Sequence, residues 1–271
     1  MTVADFSVKG QVALITGGSK GIGRAIALAL AEHGAEVVIS ARGQDALDVT
    51  KKEIESTGRR CVAVVADLGD DADIRRLHET AVSELGVIDI LVNNAGFADV
   101  VGLHDISYQS FEKTLRINTW APIYLAQLCF PAWRERGEGR IINIGSNGGI
   151  KPDPFVGAYS ASKAGIHMVT TQMAQEWARY GIRANSVCPG LVRTEMAAPM
   201  VALLESLGNP HNILHRGADA SELAGMVLLL ASPAGSYCQG ERYMVDGGEV
   251  FRPTYEFSIE EYEKMKESLL S

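Results

Sequence analysis

Three residues in one short segment have the types and spacing for acid–base chemistry. Ser146 precedes Tyr159 by thirteen positions, and Lys163 follows Tyr159 by four. On a helix, positions i and i+4 stack on one face, so this spacing sets an ammonium one turn from a phenol. A free phenol, with a pKa of about 10, exchanges its proton poorly at neutral pH, and a fixed cation beside it favours the phenolate. The pair therefore predicts a tyrosine acid/base whose pKa is lowered by Lys163. Taken alone, Tyr-x-x-x-Lys also fits a surface aromatic beside a solvated lysine, so the assignment rests on whether the chain also builds a cofactor site.

The amino-terminal region reads as such a site. Val12 to Thr16 is a short apolar strand, Gly17 to Gly23 (Gly-Gly-Ser-Lys-Gly-Ile-Gly) is a glycine turn, and Arg24 to His33 is a helix-like run. Glycines let the backbone turn tightly and come close to a pyrophosphate, which then faces the unpaired N–H groups and positive dipole end of the following helix. The spacing is Gly-x-x-x-Gly-x-Gly. No Gly-Lys-Ser/Thr follows at the Walker A interval, which argues against a nucleoside triphosphatase. A glycine turn between strand and helix can also be a plain connection.

Taken in order, Thr16 to Gly23, Asn93-Asn-Ala-Gly96, Asn118, Ser146, Tyr159-Ser-Ala-Ser-Lys163 and Pro189-Gly190 with Thr194 resemble the short-chain dehydrogenase/reductase family, in its 3-oxoacyl-reductase-like short branch. The likeness covers about residues 8–248 and shows no departure at a catalytic position. It implies a single Rossmann-type domain across 1–271, a doubly wound parallel sheet in three α/β/α layers. It also implies four catalytic residues. Ser146 would polarise the substrate carbonyl or hydroxyl, Tyr159 transfer the proton, Lys163 assist Tyr159 and bind the nicotinamide ribose, and Asn118 hold a water linking Lys163 to solvent. Asn118 also fits a simple role tying down backbone. By the same resemblance Gly17, Ser19, Lys20, Gly21, Ile22 and Gly23 cradle the pyrophosphate. Asp67, with backbone from Leu68, lies at the adenine. Asn94, Ala95 and Gly96 flank the ribose, Asn94 also fitting a mainly structural role, and Pro189, Gly190 and Thr194 support the nicotinamide.

Cofactor choice is argued from charge after the second strand, Glu36 to Ser40. A ribose 2'-hydroxyl calls for an acidic partner there and a 2'-phosphate for a basic one. The strand runs into Ala41-Arg42 with no carboxylate in the turn. A guanidinium at Arg42 can grip phosphate through two N–H groups, and Lys20 adds a second cation. In the family, that basic pair goes with NADP(H). The expected function is an NADP(H)-dependent interconversion of a ketone and a secondary alcohol on a small molecule, with 3-oxoacyl, polyketide-like, cyclic and sugar-derived ketones all open. The alternatives are a dehydratase or epimerase that retains its nicotinamide, and a non-catalytic cofactor sensor.

The whole chain agrees with a soluble enzyme. Among its 271 residues 46% are apolar and 28 are glycine, and the net charge of −8 argues against nucleic acid and anionic membrane as partners. The start, MTVADFSVKG, has no apolar signal core, so a cytoplasmic location is expected. Cys61, Cys129, Cys188 and Cys238 are scattered and form no metal motif, which predicts reduced thiols. Strands at 36–40, 61–65, 88–92, 140–144, 183–187 and 242–245 alternate with helices near 43–57, 70–85, 108–136, 159–180 and 221–231. Such alternation predicts a parallel sheet covered by helices on both faces. Residues 191–216 read as the substrate loop, where Met196, Met200, Leu203 and Leu204 form either an apolar lid or an ordinary packed helix. Phe97 and Phe155 flank the expected site, and His211 and His215 read as surface residues. The extension 249–271 carries a capping-box signal at Ser258, and the family resemblance implies a homotetramer or dimer.

Overall fold

The computed structural model describes residues 5–195, 197–208, 211–251, 259–261 and 264. Met196 and Ser258, and with Ser258 the capping-box reading, lie outside them. Seven strands form one sheet: β1 (Val12–Thr16), β2 (Glu36–Ala41), β3 (Cys61–Val65), β4 (Ile90–Asn93), β5 (Gly139–Ile144), β6 (Ile182–Pro189) and β7 (Arg242–Val245). Their order is β3-β2-β1-β4-β5-β6-β7 and every pairing is parallel. The helices between them are α1 (Gly21–Glu32), α2 (Gln44–Ser56), α3 (Asp71–Leu85), α4 (Tyr108–Leu115), α5 (Ala121–Arg136), α6 (Gly157–Trp177), α7 (Ala198–Ser206) and α8 (Ser221–Ala231).

The period-2 geometry of β1 divides the core. Ala13 and Ile15 point into one apolar cluster with Ile26, Leu30, Leu47, Leu223 and Val227 of α1, α2 and α8. Val12 and Leu14 point into the other with Ile74, Leu77, Leu125, Trp133 and Met173 of α3, α5 and α6. β1 is buried along its whole length, as a strand covered by helices on both faces must be. This is the doubly wound three-layer arrangement. The strand order reverses between β1 and β4, and in such sheets ligands bind beyond the carboxyl ends of the strands at that point.

Three element boundaries differ from the sequence pattern, and each difference falls at the candidate site. α1 begins inside the glycine turn, so Gly21, Ile22 and Gly23 form its first turn. The expected helix over 108–136 is interrupted by a π turn, Arg116–Trp120, which contains Asn118. A π turn is a local feature that apolar periodicity does not encode. β6 runs on to Pro189, which pairs with Val245 of β7, so Pro189 is part of the strand and not of the turn after it.

Candidate active site

Every strand of the sheet delivers a residue of the site within two positions of its carboxyl end. β1 delivers Gly17, β2 Arg42, β4 Asn94, β5 Ser146, β6 Gly190 and β7 Asp246. Asp67 follows two residues after β3. The glycine turn folds as close backbone approach requires. Gly17 is in the left-handed region (φ 65°), and a Cβ on Gly23 would overlap the Gly17 carbonyl oxygen and the Asn94 side chain. The first α1 hydrogen bond runs from Arg24 N to Lys20 O (3.2 Å), leaving the N–H groups of Gly21, Ile22 and Gly23 aimed out of the helix end. No side chain caps that end and no acidic residue occupies its first turn. A helix start with open N–H groups and a glycine cradle suits a pyrophosphate, so the residues present fit a dinucleotide.

Asn94 is a fastener of this turn. Its Nδ2 donates to Thr16 O (2.9 Å) and Gly17 O (3.2 Å), while the backbone N–H groups of Asn94 and Ala95 donate to Thr16 Oγ1, each at 3.0 Å. Thr50 Oγ1 donates to Ser19 O (3.0 Å) on the other side. Asp67 accepts from Gly69 N (2.9 Å), closing its own turn, and Leu68 is buried. Arg42 is exposed and makes no hydrogen bond or ion pair among the described residues. Lys20, expected as a free second cation, is instead paired with Glu195 at 2.7 Å, a contact between residues 175 positions apart. Thr194 lies beside the same turn: a Cβ on Gly21 would sit 3.1 Å from its Cγ2.

The catalytic candidates converge at the ends of β5 and α6. Ser146 is buried. Its Oγ accepts from Gly148 N (3.0 Å) and donates to Asn147 Oδ1 (3.4 Å), with the half-buried Tyr159 phenol beside the same loop. Lys163 is 4% exposed, donates from Nζ to Ile144 O (2.8 Å), and lies 5.5 Å from the centroid of the Tyr159 ring. Asn118 Oδ1 accepts from Phe97 N (2.7 Å), and its Nδ2 donates to Phe97 O (2.8 Å) and Ser162 Oγ (2.9 Å). Gly96 holds the middle: a Cβ there would lie 3.6 Å from Asn118 Oδ1 and 3.8 Å from Lys163 Nζ.

One expectation is corrected. The Tyr159 phenol is held above its ordinary pKa, first by burial and also by the Asp153 carboxylate, against the opposing hydrogen bond of Ser146. The lysine is the group displaced downward: burial brings Lys163 to about 8. Helical spacing placed the two side chains correctly, but withdrawal from water is the largest cause of both shifts.

Four neighbours were not singled out from sequence. His167, one turn beyond Lys163 and 2% exposed, lies under the serine loop, with Nε2 3.4 Å from Ser146 N and 3.3 Å from Cys188 Sγ. The i, i+4 interval from Lys163 is the signal that would have found it. Burial and the nearby cations bring its pKa to about 4, so it is neutral at pH 7. Asp153, Asn147 and Glu249 line the substrate end. Glu249 is pushed up to about 7 by burial and by Asp153, with an Asn147 hydrogen bond acting the other way. Asn147 had only its place next to Ser146 as a signal, and the other two had none.

The expected substrate loop forms α7, of which Val201 is buried while Met200 and Leu203 are more than half exposed. Phe97 is partly buried under Lys113 Nζ (4.5 Å from the ring centroid), and Phe155 is 64% exposed with φ 64°. Among the described residues there is no metal-binding cluster of His, Cys, Asp or Glu, and no helix long and apolar enough to cross a membrane.

This fold and site match known proteins along most of the chain. The short chain dehydrogenase family profile matches residues 11–203. A 3-oxoacyl-[acyl-carrier-protein] reductase of Synechocystis is 34% identical over 244 residues, covering 89% of this chain and 97% of that protein. The crystal structure of L-sorbose reductase from Gluconobacter frateurii, complexed with NADPH and L-sorbose, superposes with a TM-score of 0.87 at 30% identity, over 92% of this chain and 100% of that one. A gluconate 5-dehydrogenase from Burkholderia cenocepacia, in complex with NADP and tartrate, gives a TM-score of 0.87 at 32% identity, over 92% and 99%. The chain belongs to the short chain dehydrogenase family.

Proposed function

We propose that the protein is an NADP(H)-dependent oxidoreductase that interconverts a ketone and a secondary alcohol. The observation that carries this reading is the convergence of Ser146, Tyr159 and Lys163 beside an open glycine cradle, with an unpartnered Arg42 after β2 and no carboxylate in that turn. The relatives support it: two of the structures named above hold NADP or NADPH, and the named enzymes act on oxo or hydroxy carbons of acyl chains and sugars.

Bound NADP(H) supplies or accepts the hydride. Gly17, Ser19, Gly21, Ile22 and Gly23 hold its pyrophosphate, and Arg42 holds the 2'-phosphate, joined by Lys20 once Glu195 releases it. Asp67 and Leu68 border the adenine. Ala95 and Gly96, positioned by Asn94, border the ribose that Lys163 contacts, and Pro189, Gly190 and Thr194 back the nicotinamide. Ser146 Oγ accepts from Gly148 N (3.0 Å) and donates to Asn147 Oδ1 only over 3.4 Å, a long contact that a substrate oxygen would replace. Tyr159 gives that oxygen its proton during reduction and removes it during oxidation. A phenol kept neutral by burial is the donor form that reduction needs. Asn118 Oδ1 and Lys163 Nζ both lie within 4 Å of the Cβ position of Gly96, and we assign the proton path to solvent along that side.

The test is NADPH oxidation followed by absorbance across a panel of ketones, with wild type and Tyr159→Phe in parallel. Turnover by wild type and its loss in the variant, with NADPH still bound, is the expected result. NADPH binding without oxidation of any ketone would count against the reductase reading.

A further inference from the structure

The end of the site beyond Ser146 and Tyr159 is acidic, and its carboxylates have no cation partner. A single point, the Cβ position of Gly148, lies 3.2 Å from Ser146 Oγ, 3.5 Å from Asp153 Oδ2 and 3.7 Å from Tyr159 Cε1. The proton donor, the carbonyl-binding hydroxyl and the Asp153 carboxylate therefore surround one small volume. Asp153 is exposed and makes neither a hydrogen bond nor an ion pair among the described residues. Glu249 closes the same end from the loop after β7. Its Oε2 is buried without a hydrogen-bond partner, packed where a Cβ on Gly190 would come within 2.9 Å of it.

The third carboxylate, Asp246, is not available to a ligand. Both its oxygens are committed to the turn, Oδ1 accepting from Gly248 N and Oδ2 from Val250 N, each at 2.9 Å. The cations nearby are Lys151, exposed in the Asp153 loop, and Lys163, buried beneath Tyr159. Neither forms an ion pair with Asp153 or Glu249 among the described residues.

Resting on the reductase reading, we propose that Asp153 is a specificity residue that accepts hydrogen bonds from substrate hydroxyls next to the reacting carbon. Glu249 reinforces the negative potential behind it, and the substrate is a neutral polyhydroxylated ketone or its alcohol. A substrate carboxylate at this end would meet Asp153 at close range in a partly desolvated site, where like charges repel strongly. Hydroxyls instead give the unpaired carboxylate the donors it lacks. An acyl chain without hydroxyls offers Asp153 nothing.

The experiment compares L-sorbose with 5-keto-D-gluconate as substrates for NADPH oxidation by wild type, Asp153→Asn and Glu249→Gln. Wild type is expected to favour the neutral ketose by at least tenfold in kcat/KM. Asp153→Asn should lower kcat/KM for the ketose about tenfold to a hundredfold, the range of a hydrogen bond to a charged group. The same variant should leave the carboxylated ketone unchanged or improved, and Glu249→Gln should shift the ratio in the same direction by less. A wild-type preference for the carboxylated ketone, or equal losses on both substrates in Asp153→Asn, overturns the proposal.

If neither compound is turned over, the reductase reading is decided by the wider ketone panel, and binding still decides the recognition question. Thermal shifts of the NADP+ complex with sorbitol and with gluconate supply that readout. Stabilisation by sorbitol that is lost in Asp153→Asn supports the assignment, whereas stabilisation by gluconate, or by neither, refutes it.

Discussion

On the proposed NADP(H) reading, cofactor selectivity depends on three exposed side chains, each with its own expected effect. Arg42 has no competing partner, so its two N–H groups are free for a 2'-phosphate. A hydrogen-bonded charge pair of this kind contributes about 1.5–3 kcal/mol, and less at high salt. Arg42→Ala should therefore weaken NADPH roughly 10–100-fold and leave NADH nearly unchanged. Lys20 differs because it enters the contest already paired with Glu195 at 2.7 Å. That pair is exposed on both sides and amounts to about 0.2–1 kcal/mol, which Lys20 must give up before it can reach phosphate. Lys20→Ala should consequently cost less than Arg42→Ala. Glu195→Gln should tighten NADPH, by no more than about fivefold, and the gain should vanish in the Lys20→Ala background. Fluorescence titration of both cofactors at low and high ionic strength measures all four quantities. Equal weakening of NADH and NADPH by Arg42→Ala, or a loss of NADPH affinity in Glu195→Gln, would refute this account of the phosphate site.

Three further outcomes follow from the site. Tyr159→Phe should lower kcat by about 10²–10⁴-fold, the usual range for a positioned acid/base, with NADPH affinity retained, and parallel loss of both would make the residue a structural one. Gly23→Ala, whose methyl group would press on the Gly17 carbonyl, should abolish cofactor binding and cost about 1–3 kcal/mol of stability in a denaturant melt; intact NADPH binding would contradict the cradle. Lys163→Met should be more stable than wild type at pH 7 by up to about 3 kcal/mol. The unfolded lysine holds its proton up to 10.5 and the folded one only to about 8. The unfolded chain thus binds more protons between those values, and wild-type stability rises with pH across that window. The advantage of Lys163→Met should close from pH 8 to 10.5, and thermal melts showing a constant difference would exclude a buried, depressed lysine.

What the sequence made legible was local. Val12 to Gly23 reads as strand, turn and helix because apolar run, glycines and helical periodicity adjoin one another. That Arg42 follows β2 in a turn without a carboxylate is read directly from the chain. The helical spacing of Tyr159 and Lys163 likewise survives into the fold. The readings that changed all depend on residues far apart in the chain. Glu195 reaches Lys20 only because the segment after β6 lies over the turn after β1, and Asp153 and Glu249 meet only because β5 and β7 end on the same side of the sheet. The π turn at Asn118 escaped because a single five-residue segment is too short to be told from ordinary irregularity in an apolar pattern.

The corrected electrostatics of Tyr159 follow from the same cause. A spacing rule tells which groups are neighbours, whereas a pKa depends on what surrounds both of them. Here Ser146, Lys163 and His167 are each less than a tenth exposed, under a loop that the parallel sheet buries between β5 and α6. Burial disfavours charge on either partner, so it raises the phenol and lowers the ammonium together. The result is a site that holds its proton on Tyr159 and keeps His167 neutral, with Lys163 poised near the physiological range. On the proposed reductase reading, a phenol that keeps its proton is the form that donates to a ketone oxygen.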